Sequence, residues 1–159
     1  MNLIPSKFFI TSSSAVSTIS GLNAFDRALI DAGIGEQNLV SVSSVIPIGA
    51  EQIDRKEMPM GAVTHCVLAQ MRGTEGEMIS AGIAYAFRND GKGGYVAEGH
   101  MHGSKESLKN DLQWKMEEMS RIRGVELGSI GFVIEELEIP VDNYGCCLAA
   151  LVFTDYRDD

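Results

Sequence analysis

Ile79-Ser-Ala-Gly-Ile-Ala-Tyr-Ala-Phe87 alternates large apolar residues with small ones at a period of two. This alternation is typical of a β-strand with two different faces, and the small residues on one face would let a helix or a second sheet approach closely. The turn-forming stretch Asp90-Gly-Lys-Gly-Gly94 comes next and leads into a second extended run, Tyr95 to His102. The pattern predicts a β-hairpin, and therefore an antiparallel sheet.

More extended runs lie on both sides of this hairpin, while the polar tail, Thr154 to Asp159, is expected to fray. Most links between the runs are short and hairpin-like, which favours antiparallel pairing over a βαβ repeat. The predicted strands are Phe8 to Ser13, Leu39 to Ser44, Val63 to Met71, Ser129 to Pro140 and Tyr144 to Phe153.

Two segments have helical spacing. One covers about 23–32 and ends at Gly33, and the other covers Lys105 to Arg123, with Ser104 suited to the N-cap and Gly124 just past the end. Because strands outnumber helices, residues 1–159 are predicted to form a single α+β domain. The apolar residues expected to face the core are Leu22, Phe25 and Leu29 in the first helix and Leu108, Leu112, Met119 and Ile122 in the second.

Composition narrows the function classes. The 159 residues carry a net charge of −9 and lack the clustered Lys and Arg that phosphate binding requires, so a nucleic-acid partner is not expected. No apolar run approaches the ~20 residues that cross a membrane, and the polar N-terminal segment does not resemble a signal peptide, so we expect a cytoplasmic protein. The three cysteines, Cys66, Cys146 and Cys147, suit neither a disulfide framework nor a zinc site, and are expected to be buried on strands.

The adjacent residues Ser43 and Ser44 can carry unusual chemistry. A serine pair in a strand is commonplace, and its hydroxyls are usually solvated or locally hydrogen-bonded. Under strain, however, the Ser44 hydroxyl can attack the Ser43 carbonyl and convert the peptide to an ester. Loss of the Ser44 α-proton then expels the Ser43 carboxylate and leaves a dehydroalanine. Its imine tautomer exchanges nitrogen for water and becomes a pyruvoyl group.

The serine pair is set in an ordered pattern that extends over most of the chain. Its segments are Leu22-Asn-Ala-Phe-Asp26, Asp31-Ala-Gly-Ile-Gly35, Gly49-Ala-Glu51, Pro59-Met-Gly-Ala62, Glu98-Gly99 and Gly145-Cys-Cys-Leu-Ala-Ala150. This pattern resembles the pyruvoyl-dependent arginine decarboxylase family, whose members make their own cofactor from an internal serine.

The resemblance implies an αββα sandwich of antiparallel sheets between helical layers, and a homotrimer with active sites between subunits. It also implies a zymogen that cuts itself into a β chain, residues 1–43, and an α chain, residues 44–159, that begins with a pyruvoyl group from Ser44. No metal is expected. The mature lyase would convert L-arginine to agmatine and carbon dioxide through a Schiff base, in polyamine biosynthesis. A decarboxylase of another amino acid and a non-cleaving trimeric binding or scaffold protein remain alternatives.

Three further residues are candidates for the site. Glu98 is flanked by small and apolar residues, and burial there would keep it protonated near neutrality as the proton donor, although a Glu beside a Gly is commonly a solvated edge residue. Asn38 shares strand parity with Ser44 and could stabilise the oxyanion during processing; it could equally close the preceding turn. Asp26 could pair bidentately with the substrate guanidinium, or simply favour the helix N-terminus.

The pair His100 and His102 is not part of the family pattern. Two His at positions i and i+2 face the same side of a strand and could bind a metal, but no third ligand is apparent in the sequence. An exposed strand end is the alternative. His65 is expected to line the core.

Overall fold

The computed structural model describes residues 2–158, which form two helices and nine strands. In chain order they are β1 (Leu3–Ser17), α1 (Gly21–Asp31), β2 (Asn38–Ser41), β3 (Val45–Ile46), β4 (Glu51–Gln52), β5 (Val63–Thr74), β6 (Met78–Phe87), β7 (Gly94–Met101), α2 (Lys105–Arg123), β8 (Gly131–Glu138) and β9 (Tyr144–Asp158).

The strands form two sheets. The five-stranded sheet has the order β2-β5-β9-β1-β4, and the four-stranded sheet has the order β3-β7-β6-β8. Pairing is antiparallel except at the two edges of the larger sheet, where β2 runs parallel to β5 and β4 runs parallel to β1. The predicted hairpin is confirmed as β6 and β7, which pair from Ser80 with Met101 to Phe87 with Gly94.

The two sheets pack face to face, with one helix on each outer face. Phe8 and Leu151 from the larger sheet meet Ile79, Ile83 and Val96 from the smaller one in the central core. The α1 helix covers the larger sheet and α2 the smaller one. The α+β sandwich predicted from the sequence is therefore confirmed, and burial on both faces of the central strands explains the buried Ala residues of β6 and β9.

Helix α2 has the bounds and caps that the sequence predicts. Ser104 accepts a hydrogen bond from the Ser107 N–H, and Gly124 adopts a left-handed conformation (φ 63°). The predicted apolar face is wrong at Ile122, which is 66% exposed, because the buried stripe follows Leu108, Leu112 and Met116 instead.

Helix α1 also differs from its predicted face. Its sheet-facing stripe is Ala24, Ala28 and Ala32, whereas Leu22 is exposed. Small side chains let the helix lie close to β1 and β9, while Phe25 and Leu29, predicted to face the core, pack against it and are partly buried.

The tail predicted to fray is instead part of β9. Residues 154–158 continue the antiparallel pairing with β1, as far as the pair formed by Leu3 and Asp158; Asp159 lies outside the described residues. The prediction was wrong because β1 begins five residues earlier than its apolar run, and supplies a partner for the polar tail. The three cysteines are buried and free, as predicted. Within residues 2–158 no helix is long and apolar enough to span a bilayer.

Candidate active site

The serine pair lies where the chain crosses from one sheet to the other. Strand β2 ends at Ser41, so the prediction of a strand reaching Ser44 is wrong. The Val42 N–H donates to the Cys66 carbonyl of the larger sheet (2.9 Å), and the Ser44 carbonyl accepts from the Val96 N–H of the smaller sheet (2.9 Å). The Ser43–Ser44 peptide bond therefore spans the gap between two anchored residues.

An open cleft of about 660 Å³ brings this peptide bond together with part of β7 and one side of α2. It is lined by Ser43, Ser44, Val96, Ala97, Glu98, Asp111, Trp114, Lys115, Glu118, Met119 and Arg123. Glu98 and the serine pair, far apart in the sequence, thus share one cavity. They meet because β3 pairs with β7 only over Val45 and Ile46, which leaves the next part of the β7 edge uncovered.

The burial predicted for Glu98 is absent, since this residue is exposed at the sheet edge. Its neighbour Val96 packs in the core between the sheets while Ala97 faces α2, so alternation places the Glu98 side chain on the side of the larger sheet. Burial raises the pKa of Cys66 in that sheet to about 11, and the Glu98 carboxylate contributes in the same direction.

The main chain at Glu98 is tied to α2. Lys115 Nζ donates to the Glu98 carbonyl (3.0 Å) and also pairs with Asp111 (3.1 Å). This contact fixes the β7 edge against the helix at the point where it faces the cleft.

Asn38 occupies the start of β2 and is exposed. Its Nδ2 donates to the Gly61 carbonyl (2.9 Å), and its backbone N–H donates to the Ala62 carbonyl (2.9 Å). Strand parity does not carry Asn38 to Ser44, because β2 ends at Ser41 and Ser44 lies between the strands, with its carbonyl bonded to Val96 of the smaller sheet. In this chain the side chain ties the loop at Gly61 to the start of β2.

Asp26 lies outside the cleft. It is exposed on α1, which covers the outer face of the larger sheet, whereas the cleft is bounded by α2 on the opposite side of the sandwich. One chain therefore does not place Asp26 beside Ser44.

Sequence reasoning missed the support beneath β3. Tyr95 pairs with Val45, the residue after Ser44. The guanidinium of Arg123 lies 4.5 Å from the centre of the Tyr95 ring, and Arg88 Nη1 donates to its hydroxyl (3.2 Å). A stacked cation–π contact of this kind stabilises the ring position. The isolated sequence gives no signal for it, because the three partners come from separate elements.

The histidines lie outside the cleft. His65 is only half-buried, and its Nδ1 lies 2.5 Å from the Tyr156 hydroxyl, beside Val42 and Val45. His102 Nε2 lies 2.9 Å from a Glu77 carboxylate oxygen. Over the described part of the chain, no group of three or more His, Cys, Asp or Glu side chains is arranged to hold a metal ion.

Comparison with known proteins identifies a family for this chain. The family model for pyruvoyl-dependent arginine decarboxylase matches residues 7–158. The chain belongs to this family.

Three relatives, each called pyruvoyl-dependent arginine decarboxylase, match over nearly their whole length. The protein of Methanothermobacter thermautotrophicus is 32% identical over 154 residues, which cover 96% of this chain and 99% of the relative. That of Methanopyrus kandleri is 35% identical over 150 residues, covering 94% and 97%. That of Pyrococcus furiosus is 33% identical over 159 residues, covering 98% and 100%.

Proposed function

We propose that this chain decarboxylates L-arginine to agmatine, and that it first cuts itself between Ser43 and Ser44. Family membership supports the reaction. The single observation that carries the site is the cleft shared by the serine pair and Glu98.

The cut begins with attack by Ser44 Oγ on the Ser43 carbonyl carbon. The Val42 N–H donates to the Cys66 carbonyl on one side of the Ser43–Ser44 peptide bond, and the Ser44 carbonyl accepts from the Val96 N–H on the other. Because these contacts hold the peptide bond between the sheets, little conformational freedom is lost when the hydroxyl attacks. The peptide nitrogen departs from the Ser43 carbonyl and the ester forms. Elimination then releases residues 1–43 as a free carboxylate, and water displaces the Ser44 nitrogen as ammonia.

Asn38 is proposed to assist this cut. Its hydrogen bond to Gly61 fixes the start of the short strand β2, four residues long, from which the serine pair leaves the sheet.

The residues around Ser44 fit a pyruvoyl group. Ser44 is half-buried and lines the cleft, and its carbonyl is held by the Val96 N–H, so a new terminus at this residue would stay in place after the cut. Such a group supplies an electron sink for decarboxylation.

Glu98 is proposed to return the proton to the substrate α-carbon. This role needs a carboxyl group shielded from water, and Glu98 is exposed in one chain. A homotrimer in which a second copy covers the cleft would provide the shielding and could bring Asp26 of the neighbour to the substrate guanidinium. The exposed apolar residues beside the serine pair, Val40, Val42, Val45 and Ile48, support such a contact.

A decarboxylation assay tests the function. Carboxyl-labelled arginine, lysine, ornithine and histidine are each given to the purified protein, with Ser44→Ala as the control. Release of labelled carbon dioxide from arginine alone is the expected result. Release from another amino acid would mean a different substrate. Release from none of them would favour a binding or scaffold protein. The expected place of the enzyme is the cytoplasm, at a step toward polyamines.

A further inference from the structure

Trp114 is an exposed aromatic residue beside the serine pair. It is the single tryptophan of the chain, its side of α2 lines the cleft, and it is 69% exposed. Aromatic and cation–π contacts found within residues 2–158 do not involve it. An indole with a free face at the edge of a reactive cleft is a surface on which a flat ligand can stack.

Carboxylates lie on both sides of this indole. Asp111 precedes Trp114 by three residues and Glu118 follows it by four, so the spacing of the helix places both next to it, and both line the cleft. Asp111 pairs with Lys115 and Glu118 pairs with Arg121, all with substantially exposed side chains. Exposed pairs of this kind are weak, so either carboxylate can exchange its partner for a ligand cation.

We infer that Trp114 is a specificity-determining residue, on which the guanidinium group of L-arginine stacks while the carboxylates of Asp111 and Glu118 accept its N–H groups. A guanidinium is planar, permanently charged and weakly hydrated, which suits both contacts at once. The identity of the ligand rests on the proposed function. Asp26 of a neighbouring copy would pair with the same guanidinium from across the subunit contact, so Trp114 on α2 adds a contact and does not replace that pair.

The intrinsic fluorescence of Trp114 reports binding directly, because no other tryptophan contributes. In full-length Ser44→Ala protein, which cannot form the reactive group, L-arginine should change the emission in a saturable way. L-citrulline, which has nearly the same shape but no charge, should need roughly tenfold more ligand for the same change, as expected for loss of a cation–π contact.

Kinetics of the processed enzyme give the second readout. Trp114→Leu should raise KM for arginine about tenfold and change kcat less than about threefold, since the contact is made equally before and during the reaction. The KM of Trp114→Phe should fall between those of the unsubstituted enzyme and Trp114→Leu. Ile122→Ala is the matched control: Ile122 is similarly exposed on α2 but is absent from the cleft lining, so KM should not change.

The two proposals fail in different ways. Unchanged emission with arginine, together with an unchanged KM in Trp114→Leu, would overturn the role of Trp114 and leave the decarboxylase intact. A saturable emission change in Ser44→Ala, with no release of carbon dioxide from arginine by the unsubstituted protein, would support the binding role and reject the proposed reaction. If Trp114→Leu does not fold, the emission titration and Trp114→Phe decide the question.

Discussion

Within residues 2–158 the chain passes from the five-stranded to the four-stranded sheet at two places, and the two crossings are built differently. The link between β5 and β6, called here the first crossing, is a tight turn. In it Glu77 accepts hydrogen bonds from the N–H and hydroxyl of Thr74 (2.6 and 2.8 Å), and Gly76 has a positive φ of 82°. In the link between β2 and β3, called the second crossing, the serine pair spans the gap and faces the cleft.

The contrast separates a structural link from the link at which we propose the cut. The first crossing is closed by its own side chains and by backbone hydrogen bonds to Ile139. The second is anchored only where it leaves one sheet and joins the next, so the Ser43–Ser44 bond stays accessible while its ends are held. Chemistry at the second crossing therefore does not require the sandwich to open, and changes at the two places should have distinct effects.

Removing the Ser44 hydroxyl should have the largest effect. Ser44→Ala leaves no nucleophile at the second crossing, so we expect an uncut chain and arginine turnover at background. Gel electrophoresis and the carbon dioxide assay measure the two effects. Ser43→Ala is the matched control, because Ser43 supplies only its carbonyl group, and it should still be cut. A cut in Ser44→Ala would contradict the proposed mechanism.

Removing the Glu98 carboxyl should act after the cut. Glu98→Gln keeps the size of the side chain and should still be processed, but kcat for arginine should fall roughly 10²–10⁴-fold, the usual contribution of general acid catalysis. Single-turnover kinetics on processed protein measure the loss. An unchanged kcat would assign the proton donor to another residue.

A core substitution should lower the stability of the whole sandwich, and with it the support of both crossings, without changing the chemistry. Phe8 is fully buried between the sheets, and Phe8→Ala should lower the free energy of unfolding by about 3–5 kcal/mol. Denaturant unfolding is best measured in the Ser44→Ala background, where the chain stays in one piece, and at one fixed protein concentration, because a trimer would couple unfolding to dissociation. Leu3→Ala on the same strand, 64% exposed, is the control and should change stability by less than about 0.5 kcal/mol. Equal losses would mean that the core is elsewhere.

The smallest effect should come from the first crossing. Hydrogen bonds from the Thr74 backbone and side chain, with His102 nearby, hold the pKa of Glu77 below its ordinary value of 4.5. A lowered folded-state pKa stabilises the fold above the unfolded-state value, and this stabilisation is lost as the pH falls through the lower folded value. Glu77→Gln should therefore have a lower Tm than its parent at neutral pH, with a difference that shrinks in acid.

Thermal unfolding across pH, again in the Ser44→Ala background, measures this difference. Glu57→Gln, which removes an exposed carboxylate outside the crossing, is the comparison variant. A Tm difference that stays constant down to strongly acidic pH would show that the ionised Glu77 carboxylate does not close the turn.

Local signals in the sequence predict one part of the molecule well. The caps at Ser104 and Gly124 set the bounds of α2, and the alternation of residues 79–87 predicts a strand, because both depend on neighbours in the chain. The end of β2 depends instead on where distant strands offer partners: Cys66 to Val42, and Val96 to Ser44. No pattern in residues 38–47 encodes that change of sheet.

The candidate site shows the same limit. The serine pair and Glu98 could be proposed from their motifs, and the structure brings them into one cleft. The exposure of Glu98 and the distance of Asp26 could not be predicted, because they depend on how the layers stack. Trp114 was missed because helical spacing places it off the apolar stripe and predicts only that it is exposed, and which cleft it borders depends on how α2 packs beside the serine pair.

Self-cleavage at the second crossing, with conversion of Ser44, can be measured in an intact mass spectrum of the purified protein. We predict two fragments, residues 1–43 and 44–159, with the larger about 17 Da lighter than hydrolysis alone would leave it, because the serine nitrogen departs as ammonia. A single uncut mass of 17.2 kDa that persists after warming would contradict the account.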